Sequence, residues 1–180
     1  MNGYRLLELA RPVVLIPQQP VTASGSVSSN WINMAFTEKL ALLIMVNNTG
    51  SGTQPVVTVS LIQSTNINTA GGFTSGTTLA LNGFNKYDIN QNTSNDTFTT
   101  TTGITAGTLA ITPTTTNSTV GGTMVLLDID PSLLTINGTY NHMRVVLTLS
   151  SAANAIVSVI AFQKFARIAS STAAPDTLNT

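Results

Sequence analysis

Cysteine is absent from the 180-residue sequence, and charged side chains are scarce, since they make up 8% of the residues. Without cysteine, the chain cannot be a small secreted domain held together by disulfides, and a zinc site built on thiolates is excluded as well. Seven basic and seven acidic residues cancel to a formal net charge of zero. A protein that binds duplex nucleic acid needs a basic excess to displace counterions, so we expect no nucleic-acid partner.

Long apolar segments and catalytic signatures are also missing. The longest apolar run, residues 40–46, has seven residues, whereas a membrane helix needs about 20, so no membrane partner is expected. His142 is the single histidine, and no serine lies in a Gly-x-Ser-x-Gly nucleophile elbow. With one histidine and few acids, the chain has few side chains that could transfer a proton in catalysis. The sequence therefore predicts a non-enzymatic protein that uses no cofactor.

One pair of acids has a spacing that suits metal binding. Asp128 and Asp130 would place both carboxylates on one face of a strand, where hard oxygen ligands bind calcium. A turn or cap is the better interpretation, because an aspartate before Pro131 bonds its own neighbouring backbone. Calcium needs about six to eight oxygen ligands, and no other acid is close in the sequence. No metal site is predicted.

What the sequence has in abundance is threonine, with short runs of valine, isoleucine and leucine. There are 30 threonines, and β-branched residues favour the pleated surface of a sheet over a helix. The apolar runs are short and separated by Gly, Asn, Ser and Pro clusters, which is typical of an all-β domain. About eight strands are expected, enough for a two-sheet sandwich of the jelly-roll type.

Two long hairpins are predicted within this sandwich. The first joins residues 39–46 to residues 56–63, and the second joins residues 142–149 to residues 156–162. In the second hairpin, the alternation around Leu147 predicts that this side chain faces the core. Further strands are expected at residues 31–36, 79–81, 84–89, 104–111 and 120–129.

Three regions follow from the composition. Residues 1–25 are predicted to be an extended N-terminal arm, residues 26–168 the β-sandwich domain, and residues 169–180 a flexible C-terminal tail of small and polar residues. Residues 4–16 of the first region are too apolar for a free tail in water, and Pro12, Pro17 and Pro20 prevent pairing as an inner strand. It is therefore expected to contact a partner through Leu6, Leu7, Leu9, Val13, Val14, Leu15 and Ile16. The alternative is that this segment folds back as the domain's own edge strand.

Two stretches of the sequence resemble a known family. The stretch from Tyr140 to Ser150, a short Ala/Asn loop and residues 155–167 resemble the closing hairpin of small virion structural proteins of tailed phages. Residues 36–47, a Gly-rich turn and residues 57–64 have a similar plan. The resemblance implies a role in the capsid shell, most like that of a decoration (cement) protein, and it carries over no catalytic residue.

The function expected from this resemblance is structural. The protein would lie at the capsid surface of the virion and stabilise the shell through contacts with the major capsid protein and with copies of itself, as a homotrimer. The composition agrees with this role, because threonine and asparagine surfaces form hydrogen bonds without salt-sensitive charge pairs.

Two alternatives remain open from the sequence. The chain could be a neck component of the particle, or a receptor- or glycan-binding module of a tail or head fibre. A glycan-binding module would use the long polar loops expected at residues 64–78 and 90–103 and a stacking platform of aromatic rings. For these rings, packing in the core or an interface is the preferred interpretation. The aromatic residues concerned are Trp31, Phe73, Phe84, Tyr87 and Phe98.

Overall fold

The computed structural model of the protein describes residues 10–35, 37–48, 55–65, 78–81, 86–90, 98–102, 104, 108–113, 122–134, 141–149, 153–165 and 178–179. Its strands are β1 (Arg11–Val21), β2 (Ser26–Ser28), β3 (Trp31–Asn33), β4 (Thr37–Asn48), β5 (Val57–Ser64), β6 (Thr78–Ala80), β7 (Lys86–Asn90), β8 (Thr99–Thr102), β9 (Thr108–Ile111), β10 (Thr123–Ile129), β11 (His142–Leu149), β12 (Ala155–Phe165) and β13 (Leu178–Asn179). The one helical element in these ranges is a 3-10 helix of three residues, Pro131–Leu133, so no described helix could cross a bilayer. The expected all-β fold is confirmed.

The strands form two antiparallel sheets. Sheet 1 has the order β1-β12-β4-β10-β7-β8. Sheet 2 has the order β13-β3-β11-β5-β6, with β2 beside β11 and β9 beside β5. The described ranges contain thirteen strands, more than the eight expected, because several strands of two to four residues extend the sheets. One of these short strands, β8, consists of four consecutive threonines.

The topology is that of a ribbon rolled on itself. The first half of the chain pairs antiparallel with the second half in reverse order: β1 with β12, β3 with β11, β4 with β10 and β5 with β9. Rolling this ribbon adds two further pairings, β12 with β4 and β11 with β5, which complete the two sheets. This is the jelly-roll sandwich expected from the sequence.

The two predicted hairpins are wrong as pairings, although their strands lie where they were expected. β4 and β5 belong to different sheets, and so do β11 and β12. Their partners come from the other predicted hairpin, since β4 pairs with β12 and β5 pairs with β11. Stacked sheets lie about 10 Å apart, a distance that a few residues can span. Closeness in the sequence therefore does not determine which strands pair.

The core lies between the sheets and is formed by every second residue of the long strands. Leu147 is fully buried there, so the predicted register of β11 is confirmed. At one end of the core, Gln63 and Gln163 occupy inward positions. The Nε2 of Gln163 donates to the carbonyl oxygen of Asn33 at 2.9 Å and to the hydroxyl of Thr37. These bonds satisfy a buried amide that would otherwise destabilise the fold.

Residues 11–21, expected within the N-terminal arm, belong to the sandwich. They form β1, which pairs antiparallel with β12 at the edge of sheet 1. This is the edge-strand alternative, so the sandwich begins well before residue 26. Residues 1–9 lie outside the described residues. Part of the expected C-terminal tail is also paired, because residues 178–179 form β13 against β3; backbone pairing at a sheet edge needs no apolar side chain.

The physical reason for the position of β1 is that an edge strand needs backbone partners on one side. Pro12, Pro17 and Pro20 are tolerated there, although they would break an inner strand. Burial of Leu15 and Ile16 in the core removes their apolar surface from water, which an unpaired arm does not do by itself.

The substitution Leu147→Asp is expected to destabilise the protein by about 4 kcal/mol or more, because it buries a charge without a partner. Thr148→Asp is the matched control, since Thr148 is the next residue of β11 and is exposed on the outer side of sheet 2. Its expected effect is within about 0.5 kcal/mol. Urea unfolding of both variants measures the difference, and similar midpoints would contradict the register of β11.

Candidate interaction surfaces

The seven apolar residues predicted as partner contacts do not share one environment. Leu15 and Ile16 are 6% and 1% exposed in the core, so neither is accessible to a partner. Val13 is half-buried against the core, whereas Val14 is 59% exposed. The other three lie outside the described residues, namely Leu6, Leu7 and Leu9. Val14 is therefore the described candidate that remains fully at the surface.

The burial of two consecutive residues in β1 follows from a local irregularity. The register with β12 shifts between Val14 and Ile16 and again between Ile16 and Gln19. Such shifts insert extra residues into one strand and interrupt its regular alternation. Leu15 and Ile16 can therefore both be buried while Val14 points outward. Alternation in the sequence gave no sign of this arrangement.

Sheet 1 has a second apolar side, which faces away from the core. The pairing register places Val14, Ile160, Leu43 and Leu126 side by side across β1, β12, β4 and β10. Met45 and Met124 are neighbours in the next outward row. These side chains are half-buried, apart from exposed Val14. We define the outer apolar face as Pro12, Val14, Ala41, Leu43, Met45, Met124, Leu126, Ile156, Ile160 and Phe162.

Charged residues border the outer apolar face at one end. Lys39 and Lys164 lie opposite one another in the β4–β12 ladder, and Nζ of Lys164 donates to Oε1 of Glu38 at 2.8 Å. Asp128 lies beside Ala41 at the same end. These four residues carry two charges of each sign. The two rows across the centre of the face, by contrast, contain no ionisable side chain on β12, β4 or β10.

Both edges of sheet 1 are protected against the addition of another strand. At one edge, β1 has three prolines among its eleven residues, and each proline lacks a backbone donor. At the other edge, β8 is four residues long. The Oγ1 of Thr100 in β8 donates to Oδ1 of Asp88 at 2.5 Å, which places a carboxylate beside that edge. Association through the edges is therefore disfavoured compared with association through the outer apolar face.

Sheet 2 carries the single tryptophan on its outer side. Ile32 lies opposite Met143 in the core, so the adjacent Trp31 points away from it. The guanidinium carbon of Arg144 lies 4.8 Å from the centroid of the Trp31 ring, which is a cation–π contact. Trp31 is 5% exposed, so its ring is closed to a stacking sugar.

The other aromatic residues of the supposed stacking platform are dispersed. Tyr87 is half-buried against the core from sheet 1, whereas Trp31 belongs to sheet 2. Phe98 is 41% exposed just before β8. The remaining two lie outside the described residues, namely Phe73 and Phe84. The described rings thus do not share a surface.

The polar residues considered for chemistry have structural contacts. His142 is buried, with Nδ1 lying 2.6 Å from Oδ1 of Asn141, and burial lowers the pKa of its imidazole. The backbone N–H of Ser132 donates to Oδ1 of Asp130 at 2.9 Å, which caps the 3-10 helix and lowers the pKa of that carboxyl. Asp128 is exposed on β10. Over the residues described, no three His, Cys, Asp or Glu side chains are grouped to hold a metal ion.

The outer apolar face was missed by sequence reasoning, although a signal for it exists. Residues 40–46 form an uninterrupted apolar run rather than an alternating one. A continuous apolar run in a strand indicates apolar surroundings on both faces. An expectation of one buried side per strand does not predict this second apolar side.

No protein-family model matches this chain, and no curated protein sequence matches it. Among solved structures, the chain is similar to the CBM22-1–GH10 modules of xylanase Xyn10B from Clostridium thermocellum in complex with xylohexaose. The TM-score is 0.39 with 9% identity, over 91% of this chain and 23% of that one.

Two virus structures are also similar to the chain. One is infectious bursal disease virus, Gx strain, with a TM-score of 0.25 and 10% identity over 87% of this chain and 40% of that one. The other is desmodium yellow mottle tymovirus, with a TM-score of 0.15 and 9% identity over 95% of each chain. The chain spans less than half the length of the xylanase and of the bursal disease virus chain. Similarities this low identify no family and carry no argument about function.

The protein is expected to lose stability as the pH falls through the range in which His142 titrates. Burial lowers the pKa of folded His142 below 6.5, so the unfolded chain binds this proton at a higher pH than the folded chain does. The stabilisation that arises from neutral His142 is fully present above the pKa of this residue in the unfolded chain, and it is lost as the pH falls through its pKa in the folded chain. Urea unfolding at about pH 7.5 and about pH 5.5 should show a smaller loss for His142→Asn than for the wild type. Equal losses of stability in His142→Asn and in the wild type would contradict this prediction.

The contact between Arg144 and Trp31 is expected to stabilise the fold. Arg144→Gln should lower the free energy of unfolding by about 1–2 kcal/mol, since the cation lies over a ring removed from water. It should also change the emission spectrum of the single tryptophan. Lys164→Gln is the control, because its exposed ion pair with Glu38 contributes at most about 1 kcal/mol and lies on the other sheet. An unchanged spectrum in Arg144→Gln would refute the contact.

Proposed function

We propose that this chain is a non-enzymatic structural protein of a virus particle, which decorates the capsid shell and stabilises it. It does so through contacts with the major capsid protein and with other copies of itself. The observation that carries this proposal is a jelly-roll sandwich in which strands β12, β4 and β10 of sheet 1 carry apolar side chains on both sides. Jelly rolls are a recurrent architecture of viral capsid domains, and a contiguous apolar surface is typical of a protein that binds macromolecules.

The described polar residues support a structural role over a catalytic one. Asp130 caps a helix, and His142 lies against the amide of Asn141. Asp130 also accepts a hydrogen bond from the side chain of Ser132. His142 contacts an amide rather than a nucleophile, whereas acid–base activation requires a base paired with the nucleophile. The proposed function therefore depends on protein-binding surfaces rather than on a catalytic centre.

The glycan-binding alternative has no comparable support. It needs a platform of aromatic rings open to a sugar, whereas Arg144 covers Trp31 and Tyr87 packs on the core, which leaves Phe98 as the exposed ring among the described residues. A neck component would use the same kind of contacts as a decoration protein. The position of the protein in an image of the particle separates these two roles.

Purified protein is expected to sediment with empty shells of its parent particle and to saturate at a fixed number of copies per shell. Because the proposed contacts are mainly apolar, raising the salt from about 0.1 M to about 1 M should leave binding nearly unchanged. Sedimentation followed by electron microscopy measures both the copy number and the position. Absence of binding, or density that does not repeat with the shell lattice, would exclude the decoration role.

A further inference from the structure

Arg144 is a cation without an acidic partner among the described residues. It lies on β11 between Met143 and Val145, which are both fully buried in the core, so its side chain points outward from sheet 2. The ion pair found in the described ranges belongs to sheet 1. An arginine keeps its charge in a protein at any ordinary pH. The group that faces this charge in the described structure is the ring of Trp31.

The guanidinium of Arg144 is held in one orientation and still has donors to offer. Its central carbon lies 4.8 Å from the centroid of the Trp31 ring, and Trp31 is itself buried. Nε of Arg144 is buried and has no hydrogen-bond partner. The terminal nitrogens are not buried without a partner in this way, and the side chain as a whole is half-buried, so these nitrogens remain accessible. A guanidinium that is already oriented loses less side-chain entropy when it binds a ligand.

The described strands of sheet 2 supply no acid that could approach Arg144. In β2, β3, β5, β6, β9, β11 and β13, Arg144 is the one residue among the Asp, Glu, Lys and Arg types. Its outward neighbours across the β11–β5 ladder are uncharged, with Ile62 directly opposite it and Val146 opposite Ser60. This side of the sandwich therefore presents one positive charge in neutral surroundings, which is complementary to a negative group on a partner. The acids of the described ranges lie in sheet 1 or at the 3-10 helix, namely Glu38, Asp88, Asp128 and Asp130.

A carboxylate on a protein surface is the ligand that fits this donor set. The two oxygens of a carboxylate accept two parallel hydrogen bonds from one guanidinium. Nucleic acid and anionic bilayers select several basic residues side by side, whereas the described strands of sheet 2 carry one. Tryptophan and arginine are also the residue types that most often dominate the binding energy of protein–protein contacts.

The described carboxylates of the chain itself are mostly engaged already. Glu38 is paired with Lys164, and Asp88 and Asp130 each accept a hydrogen bond within the chain. Binding Arg144 of another copy would require each of these three acids to give up its present contact. Asp128 is exposed on sheet 1, so a substitution at this position tests whether a second copy provides the carboxylate. A different protein is the better source.

We propose that Arg144, held over Trp31, binds a carboxylate on the capsid shell, which makes this part of the outer side of sheet 2 a contact with the shell. The inference deepens the proposed function and rests on it for the identity of the partner. The contact is separate from the outer apolar face, which lies on the other sheet. A partly buried pair is screened little by salt, so the contact agrees with binding that changes little between low and high salt.

The test uses the full chain and empty shells of the parent particle in two forms, untreated and with their carboxyl groups converted to amides by carbodiimide and ethanolamine. Sedimentation gives the dissociation constant for each form. Arg144→Gln should bind untreated shells at least about tenfold more weakly than the wild type. Amidation should weaken the wild type by a similar factor and leave Arg144→Gln unchanged, because this variant has no guanidinium that could lose its partner. Circular dichroism establishes that the variants are folded.

Lys164→Gln is the matched control, because it removes a cation from sheet 1, and it should bind both forms of the shell as the wild type does. Equal binding by Arg144→Gln and the wild type would overturn the inference and leave the proposed function intact, and so would wild-type binding that is insensitive to amidation.

Two further results would contradict the inference in other ways. Sedimentation equilibrium of the protein alone detects a contact between copies. A wild-type oligomer that dissociates in both Arg144→Gln and Asp128→Asn would assign the carboxylate to a second copy and overturn the inference. Wild-type protein that binds neither form of the shell would refute the proposed function, and the inference would fall with it.

Discussion

Pairing between β4 and β12 is the interaction on which the rest of the structure depends. Their ladder, from Thr37 opposite Phe165 to Asn48 opposite Ala155, is the longest in sheet 1. β1 attaches to the free side of β12, and β10 attaches to the free side of β4. The two strands come from distant parts of the chain, so the loop-closure entropy must be overcome before the ladder stabilises anything. Once it has formed, the rolled ribbon buries both inner faces around it.

The same two strands contribute side chains both to the core and to the outer surface of sheet 1. Their inward side chains, such as Ile44 and Val159, are fully buried. Their outward side chains, such as Leu43 and Ile160, are also apolar and lie in the middle of the outer apolar face. A central ladder of this composition is stabilised by burial on one side and remains available for burial on the other. Burial of the inner side of these strands drives folding, and the proposed contacts with other proteins use their outer side through the same hydrophobic effect.

Hydrogen bonds from uncharged donors and a cation–π contact, rather than ion pairs, hold several polar side chains of the described residues in place. Gln163 satisfies its buried amide through Asn33 and Thr37, and Asp88 on β7 accepts a hydrogen bond from the short edge strand β8. Arg144 is used as a flat cation over Trp31. A surface built in this way responds little to salt. That property suits a protein whose partners are other protein surfaces, as proposed.

The sequence by itself determined the all-β class, the positions of the long strands and the inward side of β11, because these depend on local alternation and β-branched composition. It also permitted an edge strand for residues 11–21, since the prolines there allow backbone pairing on one side. Only the tertiary structure decided that β4 pairs with β12 rather than with β5. The reason is that backbone hydrogen bonds form equally well between strands that are close and strands that are distant in the sequence. It likewise decided that Leu43, Ile160 and Val14 share one face, since neighbours across a sheet follow from register, and register is a property of the folded pair of strands.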